Sequence, residues 1–200
     1  MSAFLDTLAE RVLLADGAMG TQVQVRDLDL ERDFLGCENC TEVLNKSRPD
    51  LVREIHAAYL GAGADLIETN SFGGSPLTLA EFELDGEAFE INQRAAELAR
   101  EAIEEFQGDG RPRFVLGAIG PGTKLPSLGQ VEYARLEDAL VVQCSGLLAG
   151  GADAFLIETC QDPLQIKAAV NAAKRARADA GTDTPVIVQV TVETTGIRPR

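Results

Sequence analysis

GADLIETN at residues 63–70 returns further along the chain as GADAFLIETC at residues 151–160. Each copy runs a Gly-Ala-Asp turn into a short apolar stretch and closes it on Glu-Thr. A carboxylate at a buried strand end is costly unless something pairs with it. Meeting that placement twice marks one end of a sheet as built for polar chemistry.

Five short aliphatic runs read as strands: VLLA (12–15), DLIE (65–68), RFVLGAI (113–119), AFLIE (154–158) and PVIVQVTV (185–192). They are continuous and not alternating, the pattern of strands buried on both faces. Helical patterns separate them. One begins near Ser47, with Ser47 as its cap, Pro49 in its first turn and Leu51, Ile55, Ala58, Tyr59 and Ala62 at helical spacing, and it stops at Gly61 and Gly63. Others cover roughly 87–107 and 134–149, and a further one starts at Asp162-Pro163, a cap followed by proline at the first helical position. Strand, helix, strand, repeated to a fifth strand, is α/β architecture with a parallel sheet.

Regular βα units favour a (βα)8 TIM-barrel type over a doubly wound sheet. The first strand leads into ADGAMGT, not a G-x-G-x-x-G dinucleotide cradle. Polar residues also gather at the C-terminal ends of several strands: Asp16, Glu68-Thr69-Asn70, Glu158-Thr159 and Glu193. Barrel active sites are assembled at that face. A full barrel takes about 250 residues and eight strands, whereas only about the first five strands are present here. Five strands leave two unpaired edges, so residues 1–200 read as the N-terminal part of a larger barrel domain, incomplete at the C-terminus.

Composition narrows the function classes. The 200 residues are 45% hydrophobic and 25% charged, ordinary for a globular domain, and the net charge of −14 lacks the clustered Lys and Arg that nucleic acid requires. No apolar run approaches the roughly 20 residues that span a membrane. MSAFLDTLAERV has neither the basic nor the apolar region of a signal peptide. Cys37, Cys40, Cys144 and Cys160 then read as reduced thiols in a cytoplasmic chain.

In ADGAMGTQ (15–22) the Asp-Gly pair places a carboxylate at a strand mouth, and Gly17 and Gly20 let backbone approach a ligand; the same residues also make an ordinary glycine turn with a self-capping Asp. Asp16 and Glu158 at one mouth would raise each other's pKa unless a cation, such as a ligand ammonium, sat between them. Glu68 reads as structural. GAIGPGTKLPSLG (117–129) has the length of a substrate-facing loop, with Lys124 a solvated lysine. CENC (37–40) lacks the partners of a structural zinc site and is not placed at a helix start as a redox pair would be. Cys144 reads as core, Cys160 as a pocket-wall residue and His56 as a packed surface residue.

LLADGAMGTQVQ, LNKSRPDLVREIHAAYLGAGADLIETNSFGG, LGAIGPGTKLPSLG and GADAFLIETCQDPLQIKAAV, in that order, resemble the N-terminal homocysteine-binding domain of the cobalamin-dependent methionine synthases, over residues 11 to 195. The resemblance implies a (βα)8 barrel in which homocysteine accepts a methyl group while zinc binds its sulfur. A free thiol of pKa about 8.5 is mostly protonated at neutral pH, and metal coordination removes that proton. Methylcobalamin, recharged from methyltetrahydrofolate, would be the donor, on cobalamin- and folate-binding domains of the same or another chain. By motif, Asp16 and Glu158 would grip the substrate's amino group, and Asn70 and the backbone near Gly17 would line the pocket. The family's zinc-ligating cysteines lie beyond residue 200, and the four present here do not match them, so the resemblance implies that this chain alone is inactive and binds zinc poorly. The ending GIRPR also departs from the family. Betaine- or S-methylmethionine-dependent homocysteine methyltransferases are close relatives, PGTKLPSLG favours the cobalamin branch, and an inactive half-barrel is the non-enzymatic alternative. An aldolase-type barrel would need a lysine at a strand end, and no strand ends on one.

Overall fold

A computed structural model describes residues 2–192. In chain order the elements are α1 (Ala3–Glu10), α2 (Met19–Gln24), α3 (Leu44–Ser47), α4 (Pro49–Gly61), β1 (Leu66–Glu68), α5 (Pro76–Leu79), α6 (Ala88–Glu105), β2 (Phe114–Ile119), α7 (Tyr133–Ala149), β3 (Ala154–Cys160), α8 (Pro163–Asp179) and β4 (Val186–Val190). The strands form one parallel sheet in the order β1-β2-β3-β4. That order follows the chain and contains no reversal, so the switch point of a doubly wound sheet is absent among the described residues.

Residues 12–15, expected as the first strand, make only a single parallel bridge, Ala15 to Leu66. The cause lies one residue before β1. Asp65 accepts the Leu14 N–H at 3.0 Å and two N–H bonds from Arg11, at 2.9 and 3.0 Å, so a side chain occupies the donor a ladder would use. The segment still lies beside β1, because the Leu14 carbonyl accepts from Asp65 and Leu66 and the Asp16 N–H donates to Leu66. Glu193, named as a strand end, lies outside the described residues.

The sheet separates two apolar layers. Ile67, Val115, Ile119, Phe155 and Ile157 point to the helices and meet Ala96 and Ala99 of α6, Cys144 and Leu147 of α7 and the alanine stripe 168, 169, 172, 173 and 176 of α8. Each of the larger buried side chains contributes about 1.5–3 kcal/mol relative to exposure. Leu66, Phe114, Leu116, Ala154 and Leu156 face the other way and pack with Phe4 of α1, whose ring meets Phe114 edge-on at 5.4 Å. β1, β2 and the first part of β3 thus bury both faces as their apolar runs required, whereas β4 leaves Val188 and Val190 exposed and the 12–15 segment leaves Val12 and Leu14 exposed, against the expectation for those two runs; α1 went unread in the sequence.

The helix starts follow local chemistry. Asp162 caps α8 by accepting the Leu164 N–H at 2.8 Å, with Pro163 opening the helix. Ser47 is not the cap of α4. It closes the preceding short α3, where its hydroxyl donates to the Asp33 and Val43 carbonyls, and α4 begins at Pro49 without a side-chain cap. His56 on α4 is not at the surface. It is wholly buried, and neither ring nitrogen has a partner among the described residues.

Candidate functional site

The parallel sheet brings its C-terminal strand ends together, and three carboxylates come with them. Asp16 follows the bridged segment 12–15, Glu68 ends β1, and Glu158 lies near the end of β3. The Glu68 N–H donates to Asp16 Oδ2 at 3.1 Å, while Asp16 Oδ1 is buried without a partner among the described residues. In front of them opens a cavity of about 490 Å³ whose wall includes Gly17, Glu68, Asn70, Phe72 and Glu158. Asp16 is not part of that wall; it sits against the backbone of Glu68.

The electrostatics of this group are those of anions without counter-ions. Burial, and next the charge of Glu68, push the Asp16 carboxyl up to about 8; the hydrogen bond from the Glu68 N–H works against this and Glu158 adds to it. Glu68 is pushed up to about 7 by burial and then by Glu158. Glu158 is raised by burial. No arginine or lysine among the described residues stands against any of them. A bound ammonium would supply the missing charge and restore ionisation. Glu68, expected to be structural, lines the cavity together with Glu158.

Gly17 passes Tyr59 at a distance that only glycine meets easily. A Cβ there would lie 3.1 Å from the ring and hydroxyl of Tyr59, whose O–H donates to the Ala18 carbonyl at 3.1 Å. Asn70 lines the wall, but its amide is engaged: Nδ2 donates to the Thr41 carbonyl at 2.7 Å and to Asn45 Oδ1 at 3.1 Å. It therefore ties the end of β1 to the 41–45 segment. That segment carries a wall residue the sequence reading missed. Glu42 is buried, its Oε1 accepts the Gly73 N–H at 2.5 Å, and burial raises its carboxyl. The available signal was an acid set between Cys40 and Val43-Leu44, three residues that all prove buried. In the 117–129 loop, Thr123 reaches the cavity wall and Lys124 lies 3.7 Å from Glu81.

Three of the four thiols are buried away from any zinc centre. Cys144 is fully buried among helix-side apolar residues, and burial drives its thiol far up. Cys160 is no pocket-wall residue; it packs with that same layer, and its thiol is pushed up to about 11. Cys40 is buried with Val43, Leu79 and Ile91, and burial followed by the charge of Glu42 pushes it to about 12. Metal-binding cysteines need depressed pKa values, and among the described residues no three His, Cys, Asp or Glu side chains group around one point to hold a metal ion.

A parallel α/β sheet with a carboxylate-lined cavity at its C-terminal strand ends defines the class: an α/β domain that opens a cavity at the end of the sheet where such folds carry their chemistry. The chain belongs to the homocysteine S-methyltransferase family, which residues 13–199 match. It is 50% identical over 192 residues to methionine synthase of Mycobacterium tuberculosis and equally to that of Mycobacterium leprae, matching 96% of this chain. The chain spans only 16% of the length of those relatives. In fold it is similar to the homocysteine methyltransferase MmuM from Escherichia coli. The metallated form gives a TM-score of 0.71 at 21% identity over 95% of this chain and 66% of that one. The oxidized form gives 0.68 at 24% identity over 84% and 60%.

Proposed function

We propose that residues 1–200 form the N-terminal part of a (βα)8-barrel domain that binds homocysteine in a methionine synthase, where a methyl group passes from methylcobalamin to the homocysteine thiolate to give methionine. The observation that carries the reading is that Glu68 and Glu158 line one cavity, with Asp16 set directly behind Glu68, and no cation among the described residues balances them. Homocysteine offers an ammonium of the required charge. Asp16 and Glu158 take that ammonium, Gly17 brings backbone to the ligand, and Asn70 holds the wall by its ties to Thr41 and Asn45. The sequential strand order supports a barrel. Identity of 50% to two methionine synthases supports the methionine synthase reading over betaine- or S-methylmethionine-dependent homocysteine methyltransferases.

Zinc belongs to this reading through residues outside the chain. Cys40, Cys144 and Cys160 are buried, with raised pKa values, so the ligands are expected beyond residue 200, and the cobalamin- and folate-binding domains would be separate, all in a cytoplasmic protein. The 200-residue chain alone is then inactive. The test compares zinc content and homocysteine binding of this chain with those of a chain extended by the rest of the barrel. Stoichiometric zinc and thiol-dependent binding in the extended chain only is the expected result. Stoichiometric zinc in the short chain, lost on replacing Cys37 and Cys40 by serine, would overturn it.

A further inference from the structure

Two-residue alternation breaks inside β3. Ile157 pairs with Val188 and Cys160 with Val190, so three steps on β3 match two on β4. The surplus residue falls at Thr159, whose φ of 60° is left-handed, a region that β-branched residues avoid. The Thr159 side chain is exposed, so no buried contact of its own accounts for that conformation. The break sorts the neighbouring side chains. Ile157 and Cys160 both pack in the helix-side layer, whereas Glu158 reaches the cavity wall. In an unbroken strand Cys160 would follow Glu158 to the cavity side. Instead its thiol donates to the Glu158 carbonyl at 3.3 Å, and the ladder resumes with the Thr191 N–H on the Cys160 carbonyl at 3.0 Å.

We propose that Thr159 is a positioning residue: its left-handed backbone leaves Glu158 on the cavity side that strand alternation already gives it and turns the Cys160 thiol out of the mouth into the helix-side layer. Bulges beside binding sites redirect side chains in this way, and left-handed non-glycine residues persist where the surroundings hold them for a purpose. A protein thiol at the mouth would compete with a substrate thiol for whatever activates it. The inference deepens the homocysteine reading and rests on it only for the identity of the ligand.

The test separates backbone from side chain. Glycine adopts positive φ freely, whereas proline is fixed near −65°. Labelling of Cys160 by a thiol reagent in this chain, read peptide by peptide by mass spectrometry with Cys144 as the mark of an intact core, reports which side the thiol takes. Thr159→Gly should leave Cys160 as protected as in the wild type, and Thr159→Pro should speed its labelling at least about tenfold while Cys144 stays protected. In the extended chain, homocysteine affinity should stay within about twofold for Thr159→Gly and fall at least about tenfold for Thr159→Pro. Faster labelling of Cys160 in Thr159→Gly, or unchanged labelling in a folded Thr159→Pro, overturns the proposal. Should the proline variant not fold, Thr159→Asn, which tolerates positive φ, joins the glycine variant, and faster labelling of Cys160 in either overturns it. A wild-type extended chain without homocysteine affinity, but with the expected protection of Cys160, would sink the functional reading and leave the role of the bulge standing.

Discussion

His56 holds a position that its chemistry does not favour. It is the only histidine in the chain, wholly buried on α4, with Nδ1 and Nε2 both unpartnered and burial pressing its pKa down to about 4. The unfolded chain takes up a proton near pH 6.5 and the folded chain does not, so stability is full above that pH and is lost as pH falls toward 4. His56→Leu should therefore stabilise the protein by about 1–3 kcal/mol at pH 8, where only the unpaired nitrogens are removed. At pH 5 the gain should be larger by roughly 2 kcal/mol. Urea unfolding at the two pH values measures both, and an equal gain would show that His56 has an unseen partner. The burial was hard to read because Ile55 already satisfies the apolar stripe of the helix. Val52, His56 and Leu60 form a second buried row at the same spacing, and only packing against the rest of the fold tells the two rows apart.

At the scale of elements, the contact of α6 with α7 turns on two glycines. A Cβ on Gly146 would stand 2.5 Å from the Phe89 carbonyl oxygen, and one on Gly150 would stand 2.2 Å from that of Gln93. Alanine is the better helix former by about 1 kcal/mol, yet here it meets backbone that cannot rotate aside. Gly146→Ala should cost about 1–2 kcal/mol net, the overpacking outweighing the propensity gain. Gly20→Ala in α2, where nothing lies within 4 Å, should be neutral or stabilising by up to about 1 kcal/mol. Thermal unfolding of the pair decides it: two variants of like stability would mean that α6 and α7 do not approach so closely. Elements whose signals are local were legible: the apolar runs of β2 and β3, the spacing of α6 and the Asp162-Pro163 start of α8. Those that depend on a partner were not. The segment 12–15 makes one bridge because Asp65, distant in sequence, takes its donor, and the bulge at Thr159 exists only against the register of β4. Likewise Asp16 and Glu158 could be named as mouth residues, but Glu42 becomes a wall residue only when Gly73 folds over it.

Taken over the whole molecule, groups from distant parts of the chain set opposing slopes of stability against pH. Asp33 and Asp65 are held well below the usual range, the first chiefly by Arg32 and the second chiefly by Arg11, so their contribution is present above about pH 4 and lost on acidification. His56 adds a loss between pH 6.5 and 4. Asp16 and Glu68 act the other way. Their folded pKa values, about 8 and about 7, exceed the unfolded ones, so the folded chain holds extra protons and loses stability as pH rises through those values. Between pH 6.5 and 8 the aspartate pairs and His56 no longer titrate, and the carboxylates raised by burial, the strand-end group foremost, set the slope. Stability without ligand should fall by roughly 2 kcal/mol across that window, at about 1.4 kcal/mol per pH unit for each proton released. Asp16→Asn should flatten the fall, because the remaining carboxylates lose both a partner charge and a titrating site. L-methionine, which carries the ammonium but no thiol, should stabilise the protein more at pH 8 than at pH 6.5, since its cation compensates charges that at lower pH are already neutralised by protons. Denaturant midpoints at four pH values, with and without the amino acid, test all three statements. A flat wild-type profile, or an unchanged slope in Asp16→Asn, would mean that the carboxylates do not share one mouth, and the argument that they wait for an ammonium would go with it.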